Sequence, residues 1–182
     1  MKKSMLQFTM IIPLILLLCF AFSCKKQVTE EAPEGITEEE ARAQMDRVLE
    51  LWNEGNLALV EEIYAPEIVS HSSSSYYEDI VGFDGVKNRI TSARTVFPDF
   101  NLTIEEIIVK GDKIVARWTY TGTNTGPNDE LPPTGKKVRI SGITMVQVVN
   151  GKCVEERIIA DNLDLYLQLG YTITPPQPSE EK

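Results

Sequence analysis

One histidine and three cysteines in 182 residues leave little material for a metal site or a disulfide framework. Basic residues are also short, with 18 Lys and Arg against 27 Asp and Glu and a formal net charge of −9. That balance excludes nucleic acid as a general partner, because neutralising phosphates needs clustered Lys and Arg. No apolar run reaches the roughly 20 residues of a comfortable membrane span. Internal repeats are missing, and Thr134-Gly135-Lys136 lacks the glycine spacing of a phosphate-binding loop. What remains is an ordinary globular composition, 42% hydrophobic and 25% charged.

The N-terminus is a targeting segment rather than part of a fold. Lys2 and Lys3 precede an apolar run from Met10 to Phe22, closed by Ser23 and Cys24. The arrangement resembles a bacterial lipoprotein signal, which implies cleavage of residues 1–23 and acylation of Cys24. An ordinary secretory signal and an uncleaved anchor are the alternatives. On the lipoprotein reading the protein is held at a membrane in the bacterial cell envelope, outside the cytoplasm, through its N-terminal lipid. Cys19 leaves with the leader and Cys24 takes lipid, so Cys153 is a single buried thiol without a disulfide partner. Residues 24–36 form a polar, flexible tether and residues 172–182 a Pro-rich, charged, disordered tail. A single domain spans 37–171.

The domain starts with helices. Thr37-Glu38-Glu39-Glu40 is a capping-box pattern, Ala41, Met45, Val48 and Trp52 recur at helical spacing, and Gly55 supplies the stop. A short helix is expected from Asn56 to Pro66, then an extended piece over Ile68–His71. A third helix, capped by Asp84, carries Val86, Ile90, Ala93 and Phe97 on one face and ends at Pro98. From Phe100 the hydrophobic period becomes 2, through Leu102 and Ile104 and again through Ile114, Ala116, Trp118 and Tyr120. A loop over Thr121–Lys137 leads to two more strands, Val138–Val149 and Lys152–Asp161. Asn150-Gly151 joins them, a pair that tolerates the positive φ of a tight hairpin. A last helix covers Leu163–Leu169. Helices followed by an antiparallel meander make an α+β fold, and helices lying on one face of a curved sheet would enclose a pocket.

With a two-residue turn, Val149 faces Lys152 and Asp161 faces Ile140, on one side with Ile159, Arg157, Thr144 and Gly142. Asp161 on that largely apolar face would be desolvated, which raises a carboxyl pKa and suits it to proton transfer. The alternative is that Asp161 merely caps the following helix. Trp118, Tyr120 and Phe97 are either pocket lining or plain core.

Several motifs stand in a telling order: Phe97-Pro98-Asp99-Phe100, Gly111-Asp112-Lys113 through Trp118, Gly122-Thr123-Asn124-Thr125-Gly126, Pro132-Pro133-Thr134-Gly135 and Gln168-Leu169-Gly170. From Thr37 to Tyr171 the chain resembles the SnoaL-like polyketide cyclases, also called ester cyclases. The resemblance implies a cone-shaped, nuclear-transport-factor-2-like fold with one pocket. It also implies cofactor-independent, metal-free intramolecular aldol chemistry, with Asp161 as the acid/base. Members often carry His at Asn124 and a His-Trp pair at Glu156-Arg157, and a His at the pocket mouth corresponding to His71. His71, Trp118, Asn124 and Arg157 are accordingly the expected substrate-binding residues. Arg157 could pair with Asp161 or orient an anionic substrate.

Three functions follow from this reading. The first is a cyclase- or isomerase-type enzyme acting on a small carbonyl compound. The second is a non-catalytic module holding a small apolar ligand in the same pocket. The third is a structural domain that forms a homodimer through its sheet.

Overall fold

A computed structural model describes residues 35–73, 78–129 and 131–175. The leader with Cys24, nearly all of the tether and most of the tail lie outside these residues. Helix α1 (Glu38–Glu54) begins with the capping box in full: Thr37 Oγ1 accepts the Glu40 N–H at 3.2 Å, and the Glu40 carboxylate accepts the Thr37 N–H at 2.9 Å. Gly55 ends it in the left-handed region, at φ 74°.

The expected second helix is shorter than its sequence suggests. A 3-10 turn (Leu57–Leu59) and α2 (Val60–Ile63) give way at Tyr64 to strand β1 (Tyr64–Ser72), which contains Pro66. Pro66 falls where the pairing of this strand is irregular, between Tyr64 and Val69, so its missing N–H interrupts no ladder bond. After β2 (Ile80–Val81) comes α3 (Gly82–Val96). Val81, not Asp84, is its N-cap; Asp84 lies in the first turn, where a carboxylate favourably meets the positive end of the helix.

The remaining elements are β3 (Asn101–Lys110), β4 (Lys113–Thr123), β5 (Lys137–Val149), β6 (Lys152–Ala160) and α4 (Asn162–Leu169). Six strands form one sheet in the order β2-β1-β6-β5-β4-β3, and the helices pack on its curved surface. The sheet is not wholly antiparallel: β1 runs parallel to β6. No tight turn links these two strands, so nothing forces them into opposite directions. Two apolar clusters result. One joins α1, α3 and β1 through Ala41, Leu51, Ile68, Val86 and Ile90; the other gathers Phe97, Phe100, Val138, Ile140 and Leu169. Trp52 packs against both.

The Asn150-Gly151 turn forms as expected, with φ 52° and 75°, and Val149 opposes Lys152. One step on, the register slips. Val148 opposes Cys153 but Gln147 opposes Glu155, leaving Val154 as the extra residue of a β-bulge. Every later pair is offset by one, so Thr144 meets Ile158 and Gly142 meets Ala160. The expected Asp161–Ile140 pair therefore does not form; β6 ends at Ala160, and the Asp161 N–H reaches Ser141 O at 3.2 Å.

Candidate functional site

The bulge in β6 decides which side chains meet the interior. Beyond an inserted residue a strand presents its other parity to the same face. Cys153, Glu156 and Ile158 point toward the helices, whereas Arg157 and Ile159 are exposed on the outer side. A cavity of about 840 Å³ lies between helices and sheet. That volume suits a drug-sized molecule.

Much of its wall is aromatic. Trp52 lies 5.5 Å from Phe100, Phe100 stacks on Tyr120 at 5.0 Å, and Tyr120 stacks on Trp118 at 6.3 Å between centroids. The Trp118 indole crosses Gly142 so closely that a Cβ there would come within 2.3 Å of the ring. Its N–H is satisfied by Thr144 Oγ1 at 2.9 Å.

Another part of the wall is polar and buried. Glu156, 4% exposed, accepts a hydrogen bond from Arg89 Nη2 at 2.6 Å. Arg89 Nη1 donates to Ser70 Oγ at 2.6 Å, and its guanidinium lies 5.6 Å from the Trp52 ring centre. Its third nitrogen, Nε, has no acceptor among the described residues. Burial opposes the charge on Arg89, but the Glu156 carboxylate and Tyr64 together outweigh it, holding the guanidinium more firmly protonated than usual. Tyr64 sits beside this pair. Burial, aided by the Glu156 charge, pushes its hydroxyl well above the usual phenol range. Burial likewise pushes the Cys153 thiol up, which keeps it protonated and inert. Gln44, 2% exposed, completes the polar wall from α1.

The residues expected from sequence divide sharply. Trp118 lines the cavity. Asp161 does not: it is exposed and caps α4 by accepting the Asp164 N–H at 3.0 Å. The burial expected from the sequence is absent, because the bulge moved the pairing and ended the strand before it. Arg157 is 57% exposed and pairs with Glu155 at 2.7 Å rather than with Asp161. Asn124 is fully buried but away from the cavity. Its backbone exchanges bonds with Lys136 and Gly135 and its Oδ1 accepts the Thr134 N–H at 2.6 Å, so it clamps the loop between β4 and β5. His71 is not a lining residue; its Nδ1 donates to Asp79, a residue that does line the cavity, at 2.8 Å.

Sequence reasoning passed over Glu156 as an interior group, and over Arg89 and Gln44 altogether. Both of the latter carry a signal, since each is a polar residue at a core-facing helical position. Gln44 lies three residues from Ala41 and four from Val48; Arg89 lies three from Val86 and four from Ala93. Among the described residues no cluster of His, Cys, Asp and Glu could hold a metal ion, and no helix is long and apolar enough to cross a membrane.

A family model described as SnoaL-like polyketide cyclase matches residues 42–169. Among solved structures, TsrD from Streptomyces laurentii is 26% identical with a TM-score of 0.66, the match covering 74% of this chain and 98% of that one. A candidate polyketide cyclase from Acidithiobacillus ferrooxidans is 28% identical, with a TM-score of 0.65 and coverage of 74% and 96%. IdmH from Streptomyces antibioticus, also a candidate polyketide cyclase, is 26% identical, with a TM-score of 0.62 and coverage of 71% and 98%. No curated protein matches the chain.

Proposed function

Because the chain belongs to the SnoaL-like polyketide cyclase family, we propose that it carries out cofactor-independent acid/base chemistry on a small carbonyl compound, with Glu156 in place of the expected Asp161. The observation that carries this reading is the Glu156 carboxylate, nearly inaccessible to bulk water yet facing an aromatic cavity beside a guanidinium. A cyclase-type role is also what the matched family and its structural neighbours support.

The chemistry balances with these groups alone. A carbon next to a carbonyl gives its proton to the Glu156 carboxylate, and the resulting enolate oxygen accepts the unused Arg89 Nε–H. The enolate carbon then attacks a second carbonyl of the same substrate. The new alkoxide recovers the proton from Glu156, returning the carboxylate to its starting state. A well-placed acid/base contributes about 10²–10⁴-fold, and folding the substrate within the cavity adds the advantage of proximity.

The first step can be read without the natural substrate. The protein should accelerate deuterium uptake into the methyl group of 2-acetylnaphthalene in D₂O, followed by NMR. Glu156→Gln should lower that rate by about 10²-fold or more, whereas Asp161→Asn, which keeps a capping side chain, should not change it. Equal exchange in the Glu156→Gln variant and the parent would overturn the assignment.

The tight Arg89–Glu156 pair favours a second reading, a non-catalytic module that holds a small apolar molecule. Binding of 2-acetylnaphthalene with no exchange above the buffer rate would select it. In either case the proposal includes a lipid on Cys24 that tethers the domain to a membrane in the cell envelope.

A further inference from the structure

Gln44 is buried on the cavity-facing side of α1, and its Oε1 has no hydrogen-bond donor among the described residues. It sits in an otherwise apolar row with Ala41, Met45, Val48 and Trp52. Burying an amide oxygen unpaired is unfavourable. Arg89 Nε is the complementary case, a buried donor without an acceptor on the same cavity. The two unpaired atoms differ in kind: one needs a donor from the ligand and the other an acceptor.

We propose that Gln44 is a specificity-determining residue that accepts a hydrogen bond from a ligand hydroxyl, so that the cavity selects hydroxylated (enol or phenol) aromatic compounds over their methyl ethers. This deepens the reading of the same cavity and shares its assumption that a carbonyl compound binds there. A hydroxyl elsewhere on the substrate, phenolic or enolic, supplies such a donor, and Arg89 Nε is left for the oxygen that becomes the enolate. The discrimination follows from the hydrogen bond that only the hydroxyl can give Oε1: a methyl ether of equal apolar area fills the cavity but donates nothing.

The test is calorimetric titration with 2-naphthol and 2-methoxynaphthalene. The parent protein should bind 2-naphthol roughly tenfold more tightly. Gln44→Met, which keeps volume and helix propensity, should bring the two affinities together by weakening 2-naphthol binding roughly tenfold, with 2-methoxynaphthalene bound no more weakly than by the parent, which reports an intact cavity. Gln44→Glu, which retains an acceptor oxygen, should keep the preference. A parent without preference, or a Gln44→Met variant that retains it, would overturn the inference. Glu156→Gln separates the two claims, because the naphthol preference should survive in it even though deuterium exchange is lost. A preference that follows Glu156 instead of Gln44 assigns the hydroxyl to Glu156 and rejects Gln44.

Discussion

Glu156 and Arg89 illustrate how little a buried charge can be understood alone. Each would be costly by itself in this interior, and each is tolerable because the other lies 2.6 Å away. Ser70 takes a second Arg89 donor, and the Trp52 face offers the cation a favourable quadrupole. Removing one partner should therefore cost more than removing both. Arg89→Met should destabilise the protein by about 3–5 kcal/mol in urea unfolding, since it strands the Glu156 charge. Adding Glu156→Met to that variant should recover a large part of the loss, and a double-mutant cycle in urea checks the coupling. The same reasoning separates Glu156 from Asp161. A carboxylate that can accept a backbone N–H at the open end of a helix has no need of an interior partner, and Asp161 does just that.

Among the elements, β5 and β6 shape the cavity. One extra residue, Val154, turns Glu156 inward and Arg157 outward, and the parity of the strand beyond the bulge follows from it. On β5, Gly142 lets the Trp118 indole lie flat against the strand, where a methyl group would also press on Ile159 O at 2.5 Å. Because one of the obstructing atoms is backbone, relief by a rotamer change alone is not open. Gly142→Ala should destabilise the domain by about 1–3 kcal/mol, the usual cost of overpacking. It should also displace Trp118 from Thr144, and a shift in tryptophan emission would register the movement. Unaltered stability and emission would mean that the strand yields readily at this point.

For the molecule as a whole, the cavity is what remains after two cores form on either side of Trp52. Helices cover one face of a curved sheet without filling the space beneath them, so the domain retains a hollow of about 840 Å³. Its relation to a membrane depends on the other end of the chain. If Cys24 carries lipid, Cys24→Ala should move the protein from the membrane fraction to the soluble fraction, with the folded domain unchanged by circular dichroism. Retention of the variant in the membrane fraction would point to an uncleaved anchor instead.

Periodicity and turn chemistry were enough to read most elements, because they act over a few residues. The capping box at Thr37, the apolar row of α1, the alternation in β4 and the Asn150-Gly151 turn all needed nothing beyond near neighbours. The family motifs likewise announced a helix-covered curved sheet with a pocket. Which carboxylate faces that pocket was a different matter. It rests on a single bulge in β6, and a bulge leaves no local trace in an alternation of apolar and polar residues that reads well in either register. Gln44 and Arg89 do stand out as polar residues within apolar helical rows, but what they face is decided only when the sheet closes against them. Short-range preferences chose the elements; long-range packing chose the side chains that share a cavity, since register and burial are settled between segments distant in the chain.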